Sequence, residues 1–474
     1  MPDSKEAILQ KFQPVFYPRS IAVVGSFGKE RALGTFYASM LIGAGFKGEI
    51  YPVSRSGGEL PGHKIYPDFR SIPGPVDHVY VCIPRHGLPA LLDECAAKQV
   101  KVASFFTAGF SELSEEGRML EQVMLDKACR GGFRLIGPNC IGAYSSEVNM
   151  CFAPSVFKGP PGDIAFICQS GSLYIKILQM GKVRGIAYSK GVSYGNGIDL
   201  DSVDFLEYYG VDPKTRAVII YMEGVRQGSR FLRVARQVCR EKPVIMVRGG
   251  RGEAGKRAIS SHTGSLASPE SVWSALAHQT GIVIVDSMEE MSDTALALQK
   301  LGGFDGGVVS LTGLANGGGG EAVLAADTFS VCGLDMPAFT ETTQLELGKA
   351  LDSVGSILNN PLDVSQSYRD PELIAHVVEI ALRDPQVSTV VALEYFDLHS
   401  NMDSPEKARE MNDRLINARD RSGKKMVMVM PPALNEEERI TEEKRLNRAG
   451  IPVYPTLERA AKALCNLRKL SSRG

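Results

Sequence analysis

Short runs of apolar, often β-branched residues alternate with longer amphipathic stretches along the whole chain, and this alternation most restricts the fold. Ser20–Val24, His78–Ile83 and Val102–Phe106 form a first series, each run followed by a helix-like pattern. Apolar strands separated by helices read as βαβ units, whose strands pair in parallel and are covered on both faces. A second series runs through Ile164–Cys168, Ala217–Tyr221, Pro243–Val247 and Ile282–Val285, and a third from Val308 through Thr389–Leu393 to Lys425–Met430. The glycine- and proline-rich stretches Lys158–Gly162 and Leu301–Gly307 suit neither helix nor strand and separate the series. Three α/β units are expected, at residues 1–144, 145–300 and 301–474, in keeping with a chain of 474 residues.

Composition removes several classes of function. Lysine and arginine (53) nearly cancel aspartate and glutamate (54), so no global field draws the chain to nucleic acid or to an acidic membrane surface. None of the nine cysteines forms a CxxC pair, and they read as buried thiols of a reducing compartment. No stretch approaches the roughly 18 apolar residues of a membrane span, and the opening residues lack the apolar core of a signal peptide. A cytoplasmic protein is expected. No HExxH or other metal-ligand spacing occurs among the seven histidines, so no metal held by this chain is expected.

One histidine stands apart. His262 lies in Arg248–Ala267, a run of glycines, hydroxyls and cations read here as a flexible loop after the Pro243–Val247 strand. Hydroxyls and cations stabilise a phosphoryl group, glycines let backbone approach it, and a neutral imidazole is a competent nucleophile near pH 7. Upstream, Gln169-Ser170-Gly171-Ser172 sits at a strand-to-helix turn, where backbone N–H groups and hydroxyls suit either a phosphate or an ordinary serine cap. Glu223 ends an apolar strand, where ligand sites of open α/β sheets lie, and is placed to orient one imidazole nitrogen of His262. In the first unit, strand Ser20–Val24 runs into Gly25-Ser26-Phe27-Gly28, with Gly34 leading into a helix. The turn is not a clean GxGxxG and fits NAD, a flavin, coenzyme A or plain packing. Ser54-Arg55 follows the next strand in place of the acid that grips the ribose of NAD, which favours a phosphorylated ribose as in coenzyme A or NADP.

Taken together and in order, Gly45–Val53, Ala108–Glu112, Gly137–Gly142, Gln169–Leu173 and Ser261–Ala267 resemble the α-type subunit of NDP-forming, in particular ADP-forming, acyl-CoA synthetases, relatives of succinyl-CoA synthetase. The resemblance spans nearly the whole chain. It implies an N-terminal Rossmann-like coenzyme A-binding domain followed by two flavodoxin-like, doubly wound α/β domains. It further implies coenzyme A contacts from Gly25, Ser26, Gly28, Gly34, Val53, Ser54, Arg55, Ile83, Pro84, Ala108, Gly109 and Asn139. His262 would be transiently phosphorylated and oriented by Glu223, with Gln169, Ser170, Gly171, Ser172, Ser261, Thr263 and Gly264 around the phosphate. The chain carries no GxxxxGK[ST] loop and no segment resembling an ATP-grasp module, so ATP or ADP with Mg²⁺ is expected on a separate ATP-grasp β-type subunit, in an α2β2-like assembly. The sequence departs from the family pattern at Ala267-Ser268-Pro269-Glu270, at Ile284 and in Phe27–Ala32, which bears on substrate identity more than on reaction type. Two alternatives stand beside this reading: an NADP-dependent dehydrogenase with His262 as base, and a non-catalytic coenzyme A-binding regulatory or scaffold subunit.

Overall fold

The computed structural model describes residues 4–28, 32–154, 159–263, 269–304, 306–312, 318–351, 355–364, 370–396 and 405–472. Among the described residues the strands build three sheets. The first comprises β1 (Ser20–Val24), β2 (Glu49–Val53), β3 (His78–Val81), β4 (Val102–Phe105) and β5 (Arg134–Ile136), all parallel, in the order β2-β1-β3-β4-β5. Every residue of β1, β3 and β4 is buried, as helices on both faces of a parallel sheet require. The order reverses between β1 and β3, which opens a crevice beyond their carboxyl ends.

The second sheet comprises β6 (Gly142–Ser145), β7 (Ile164–Cys168), β8 (Tyr188–Ser193), β9 (Ala217–Met222), β10 (Val244–Arg248) and β11 (Val283–Val285), in the order β11-β10-β9-β7-β8-β6. Only β6 among these described strands runs antiparallel, against β8. The third sheet comprises β12 (Gly307–Thr312), β13 (Ile357–Leu358), β14 (Leu362–Asp363), β15 (Val387–Leu393), β16 (Lys425–Val429) and β17 (Val453–Tyr454), in the order β13-β14-β12-β15-β16-β17, with β13 antiparallel to β14.

These sheets fall into two compact units, residues 1–291 and 292–474. The first unit holds two sheets because specific contacts join them. Arg134 of β5 makes paired hydrogen bonds to Asp199, at 2.9 Å from Nε to Oδ2, and the same carboxylate accepts the Leu135 N–H at 2.8 Å. The N-terminal helix Lys5–Phe16 precedes β1 in sequence but packs on helix Ser202–Val211 of the second sheet, where Phe16 stacks on Tyr208 at 5.0 Å and Phe12 meets Phe205 at 5.7 Å. The boundary expected after residue 144 therefore falls inside β6, and the division between units falls inside helix Met288–Leu301 rather than after residue 300. Asp293 of that helix shows why: its carboxylate pairs with Arg459 at 2.6 Å, and its carbonyl accepts the Tyr454 hydroxyl at 3.0 Å.

Candidate functional site

Three strands of the second sheet end together. β7 and β9 are parallel neighbours with Cys168 opposite Tyr221, which brings the residues after them side by side. The Gln169 N–H donates to the Tyr221 carbonyl at 3.0 Å, and the Gln169 Oε1 accepts the Glu223 N–H at 2.8 Å and the Tyr194 hydroxyl at 3.2 Å. Tyr194 follows β8, so one amide oxygen ties the carboxyl ends of β7, β8 and β9. Glu223 is buried, and its Oε1 accepts the Tyr221 hydroxyl at 3.2 Å. Burial first, then the charge of Glu223, hold the Tyr221 phenol well above its ordinary pKa, so it stays a donor.

Ser170 caps helix Gly171–Arg184, its Oγ accepting the Leu173 N–H at 3.4 Å and lying 3.0 Å from the Ser172 Oγ. The cap reading is therefore correct for Ser170. It does not exclude an anion, because a helix start has several N–H groups without intrahelical partners. Gly171 approaches Ile141 so closely that a Cβ would lie 3.1 Å from its Cγ1. Next along the sheet, Gly249 follows β10 and donates to the Met222 carbonyl at 2.9 Å. A Cβ there would sit 3.0 Å from the Tyr221 hydroxyl and 3.2 Å from the Glu223 Cγ, so any side chain at this strand end would crowd that pair.

The stretch expected to be a flexible loop around His262 is in part a helix, Glu253–Thr263. Ala254, Lys256, Arg257 and Ala258 favour helix, Glu253 suits a first turn, and Lys256 pairs with it at 2.6 Å. The glycines before Glu253 dominated the sequence pattern, but within the helix there is only Gly255. Ile259 is buried and faces the Gly249 turn, which anchors the helix beside Glu223. The backbone of Ser261, His262 and Thr263 continues the helix; their side chains, and Gly264 as a whole, lie outside the described residues. At the end of β10, Arg248 is buried, pairs with Glu270 and lies 5.8 Å over the Trp273 ring.

Over the first sheet, a cleft of about 320 Å³ opens at the carboxyl ends of β1, β2 and β3, where the strand order reverses. Gly25, Ser26, Val53, Ser54, Arg55, Ile83 and Pro84 line it together. Gly25 and Gly34 also serve packing: a Cβ on Gly25 would lie 2.8 Å from the Gly34 Cα, and one on Gly34 would lie 2.5 Å from the Ser26 carbonyl. Gly28 has φ of 114° and donates to the Thr35 hydroxyl at 3.2 Å, so it shapes the turn without lining the cleft.

Ala108, Gly109 and Asn139 do not line the cleft and sit instead beyond β4 and β5. Gly109, with φ of 98°, has both backbone groups held: its carbonyl accepts from Arg85 Nη1 at 2.6 Å, and its N–H donates to Glu112 Oε1 at 2.7 Å. Asn139 has φ of 60° after a cis Gly137–Pro138 bond, and its N–H donates to the Thr107 carbonyl at 2.9 Å.

Sequence reasoning missed several residues of these sites. Arg55 pairs with Glu94, a carboxylate that also lines the cleft. Cys82 also lines the cleft, and burial pushes its thiol up to about 12, which keeps it from acting as a thiolate. The cysteines are not uniformly buried: Cys129 is exposed, and Cys332 and Cys465 are partly so. Tyr194 and Tyr221 carried no local signal beyond their place at strand ends.

Residues 19–146, which contain the cleft, match the family model of a CoA binding domain, and residues 161–298 match that of a succinyl-CoA ligase like flavodoxin domain. The chain is 35% identical over 468 residues to the acetate–CoA ligase [ADP-forming] I subunit alpha of Pyrococcus furiosus, covering 97% of each. The chain belongs to the α-type subunits of ADP-forming acyl-CoA synthetases. This membership sets aside the NADP-dependent dehydrogenase. The fold agrees with it: the dinucleotide forming acetyl-coenzyme A synthetase 1 of Ca. Korarchaeum cryptofilum, solved in complex with phosphate and ADP, superposes with a TM-score of 0.86 at 30% identity, covering 98% of this chain and 97% of that one. The acetate–CoA ligase [ADP-forming] I of Archaeoglobus fulgidus is 35% identical over 379 residues, but the match takes in 80% of this chain and 54% of that protein. In this family the Gln169–Glu223 cluster falls in the flavodoxin-like part and the cleft in the coenzyme A-binding part. No helix among the described residues is long and apolar enough to cross a membrane.

Proposed function

We propose that this α-type chain performs the acyl-transfer half of an ADP-forming acyl-CoA synthetase and carries phosphate on His262 to a partner. The observation that supports this most is the convergence of Gln169, Tyr194, Tyr221 and Glu223 beside the start of helix Gly171–Arg184. It offers N–H groups and hydroxyls for a phosphate next to a carboxylate whose position is fixed by its neighbours.

In the proposed sequence, coenzyme A lies in the cleft of the first sheet, held by the Gly25-Ser26 turn and by Arg55. Inorganic phosphate attacks the thioester carbonyl; the C–S bond breaks, and acyl phosphate and coenzyme A form, the thiolate taking a proton. The Nε2 or Nδ1 of His262 then attacks phosphorus, releasing the carboxylic acid as its carboxylate. Glu223 accepts the hydrogen of the other imidazole nitrogen, which keeps the attacking nitrogen unprotonated. ADP, bound with Mg²⁺ on an ATP-grasp β-type partner in an α2β2-like assembly, takes the phosphoryl group and leaves His262 free. The naming of the P. furiosus relative as a subunit alpha supports a separate partner. The balanced charge and reduced cysteines suit a cytoplasmic enzyme.

Labelled phosphate, coenzyme A and a panel of acyl-CoAs test the reading. The chain mixed with an ATP-grasp partner is expected to form ATP and an acid-labile phosphohistidine, and the chain alone to form no ATP. Label that persists in His262→Ala removes this histidine from the mechanism. A complex that binds coenzyme A but never turns over supports the scaffold alternative.

A further inference from the structure

The turn Tyr194–Gly197 touches both half-sites. At one end the Tyr194 hydroxyl donates to Gln169 Oε1 at 3.2 Å, the atom that also receives the Glu223 N–H. At the other end Asn196 Nδ2 donates to Glu112 Oε2 at 2.7 Å and to Glu121 Oε1 at 2.8 Å. Glu112 in turn receives the Gly109 N–H at 2.7 Å, and Arg85, which leaves the cleft strand through Pro84, holds the Gly109 carbonyl. Two sets of hydrogen bonds, Gly109 to Glu112 to Asn196 and Tyr194 to Gln169 to Glu223, are therefore joined through the backbone of Gly195.

The turn is also wedged in place. Asn196 N–H donates to the Pro138 carbonyl at 3.0 Å and Ile198 N–H to that of Gly137 at 3.1 Å, both just before Asn139. Gly195, with φ of 54°, lies so close to this segment that a Cβ would sit 2.2 Å from the Pro138 carbonyl and 2.3 Å from that of Asn139. A shift of the Gly109 or Asn139 backbone cannot be absorbed here by sliding; it must move the turn. Asn196 is 8% exposed, and its Oδ1 has no hydrogen-bond partner among the described residues. An unpaired buried amide oxygen costs free energy in this arrangement, so the geometry stands apart from simple packing.

We propose that Tyr194–Gly197 is a coupling strap: coenzyme A binding against Pro84 in the cleft, passed through Arg85 to the Gly109 turn, sets Gln169 and Glu223 in the geometry that phosphorylates His262. Asn196 and Tyr194 are positioning residues that act through Glu112 and Gln169. This rests on the phosphate relay proposed above. Coupling free energies between sites typically amount to about a 5- to 150-fold change in one site's behaviour.

The test uses the assembled complex and labelled ATP, measuring the rate of phosphohistidine formation with and without coenzyme A. In the wild type, coenzyme A is expected to raise that rate at least about fivefold. In Asn196→Ala the rate without coenzyme A and the coenzyme A affinity stay as they were, while the stimulation disappears; a purely structural role would not separate these. Glu112→Ala removes the carboxylate that joins Asn196 to the Gly109 turn, and it too abolishes the stimulation while leaving the basal rate; it carries the test if Asn196→Ala does not assemble. Full stimulation in the variants overturns the coupling, as does a wild-type rate indifferent to coenzyme A. A wild-type complex with no label on His262 overturns the relay itself.

Discussion

The second and third sheets follow one path. From one edge to the other, β11-β10-β9-β7-β8-β6 is matched by β17-β16-β15-β12-β14-β13, each closing on an antiparallel edge strand. Each also places a glutamate directly after the third strand in that order, Glu223 after β9 and Glu394 after β15. There the likeness stops. Glu223 stands where three strand ends are tied by Gln169, beside Gly249, whose missing side chain leaves room next to the carboxylate. Glu394 has no exposed surface; Asn412 Nδ2 donates to its Oε2 at 3.2 Å while sharing the same amide with Glu442 at 3.0 Å, and its Oε1 has no hydrogen-bond partner among the described residues. Burial pushes its carboxyl up to about 8, the Asn412 hydrogen bond working against this and the nearby Glu442 charge adding to it. After the next strand, Met430-Pro431 stands where the second sheet has Gly249-Gly250. One topology thus carries an open strand-end site in one copy and a sealed one in the other, because function resides in a few residues at strand ends rather than in the fold.

The largest effect is expected at the open site. His262→Ala should lower net ATP formation at least ~10³-fold, and Glu223→Gln by ~10² to 10⁴, as for groups that hold a catalytic imidazole; Glu394→Gln should leave turnover unchanged in the same assay. Equal loss in both glutamate variants would erase the distinction drawn here.

The sealed site should reveal itself in stability instead. The folded Glu394 carboxyl titrates near 8, above the unfolded value of 4.5, so the folded state holds the extra proton between these limits. Stability from this group is complete below the unfolded value, declines as pH rises through the window and levels off above the folded value. Heat unfolding at pH 5 and pH 8.5 should show a fall in Tm that Glu394→Gln removes. A Tm difference that is the same in both proteins would argue against a buried protonated acid.

Gln169→Ala should cost about 1–3 kcal/mol in denaturant unfolding, since it strands the buried Tyr194 hydroxyl and the Glu223 N–H together. Unchanged stability would mean that the strand ends do not depend on that amide. The smallest effect belongs to the first sheet. Arg55→Ala should raise the Kd for coenzyme A about 3- to 10-fold, an exposed cation in competition with Glu94 contributing modestly. Calorimetry with dephospho-coenzyme A should show no such change if Arg55 meets the ribose phosphate.

Strands with uninterrupted apolar runs, such as β1, β7 and β9, were legible because burial on both faces leaves a plain signal. β8 was not: it contains Ser189-Lys190-Gly191, yet all of it is buried. Lys190 is accommodated there by Asp212, at 2.8 Å, a partner that only the fold supplies. The glycines around Glu253 masked a helix whose formers lie just beyond them. Glu223 and Ser170 were readable because the rule for sheet ends needs only the strand. Tyr194, Asn196, Glu112 and Glu94 were not, since each acts through a partner distant in sequence.

The N-terminal helix sets a condition on biosynthesis. Phe12 and Phe16 are made almost two hundred residues ahead of Phe205 and Tyr208, the rings that cover them. During synthesis they have nowhere to go until helix Ser202–Val211 emerges. A fragment cut at the end of the first sheet would keep two bare phenylalanines and be prone to clump, whereas a cut after the second sheet would leave them covered.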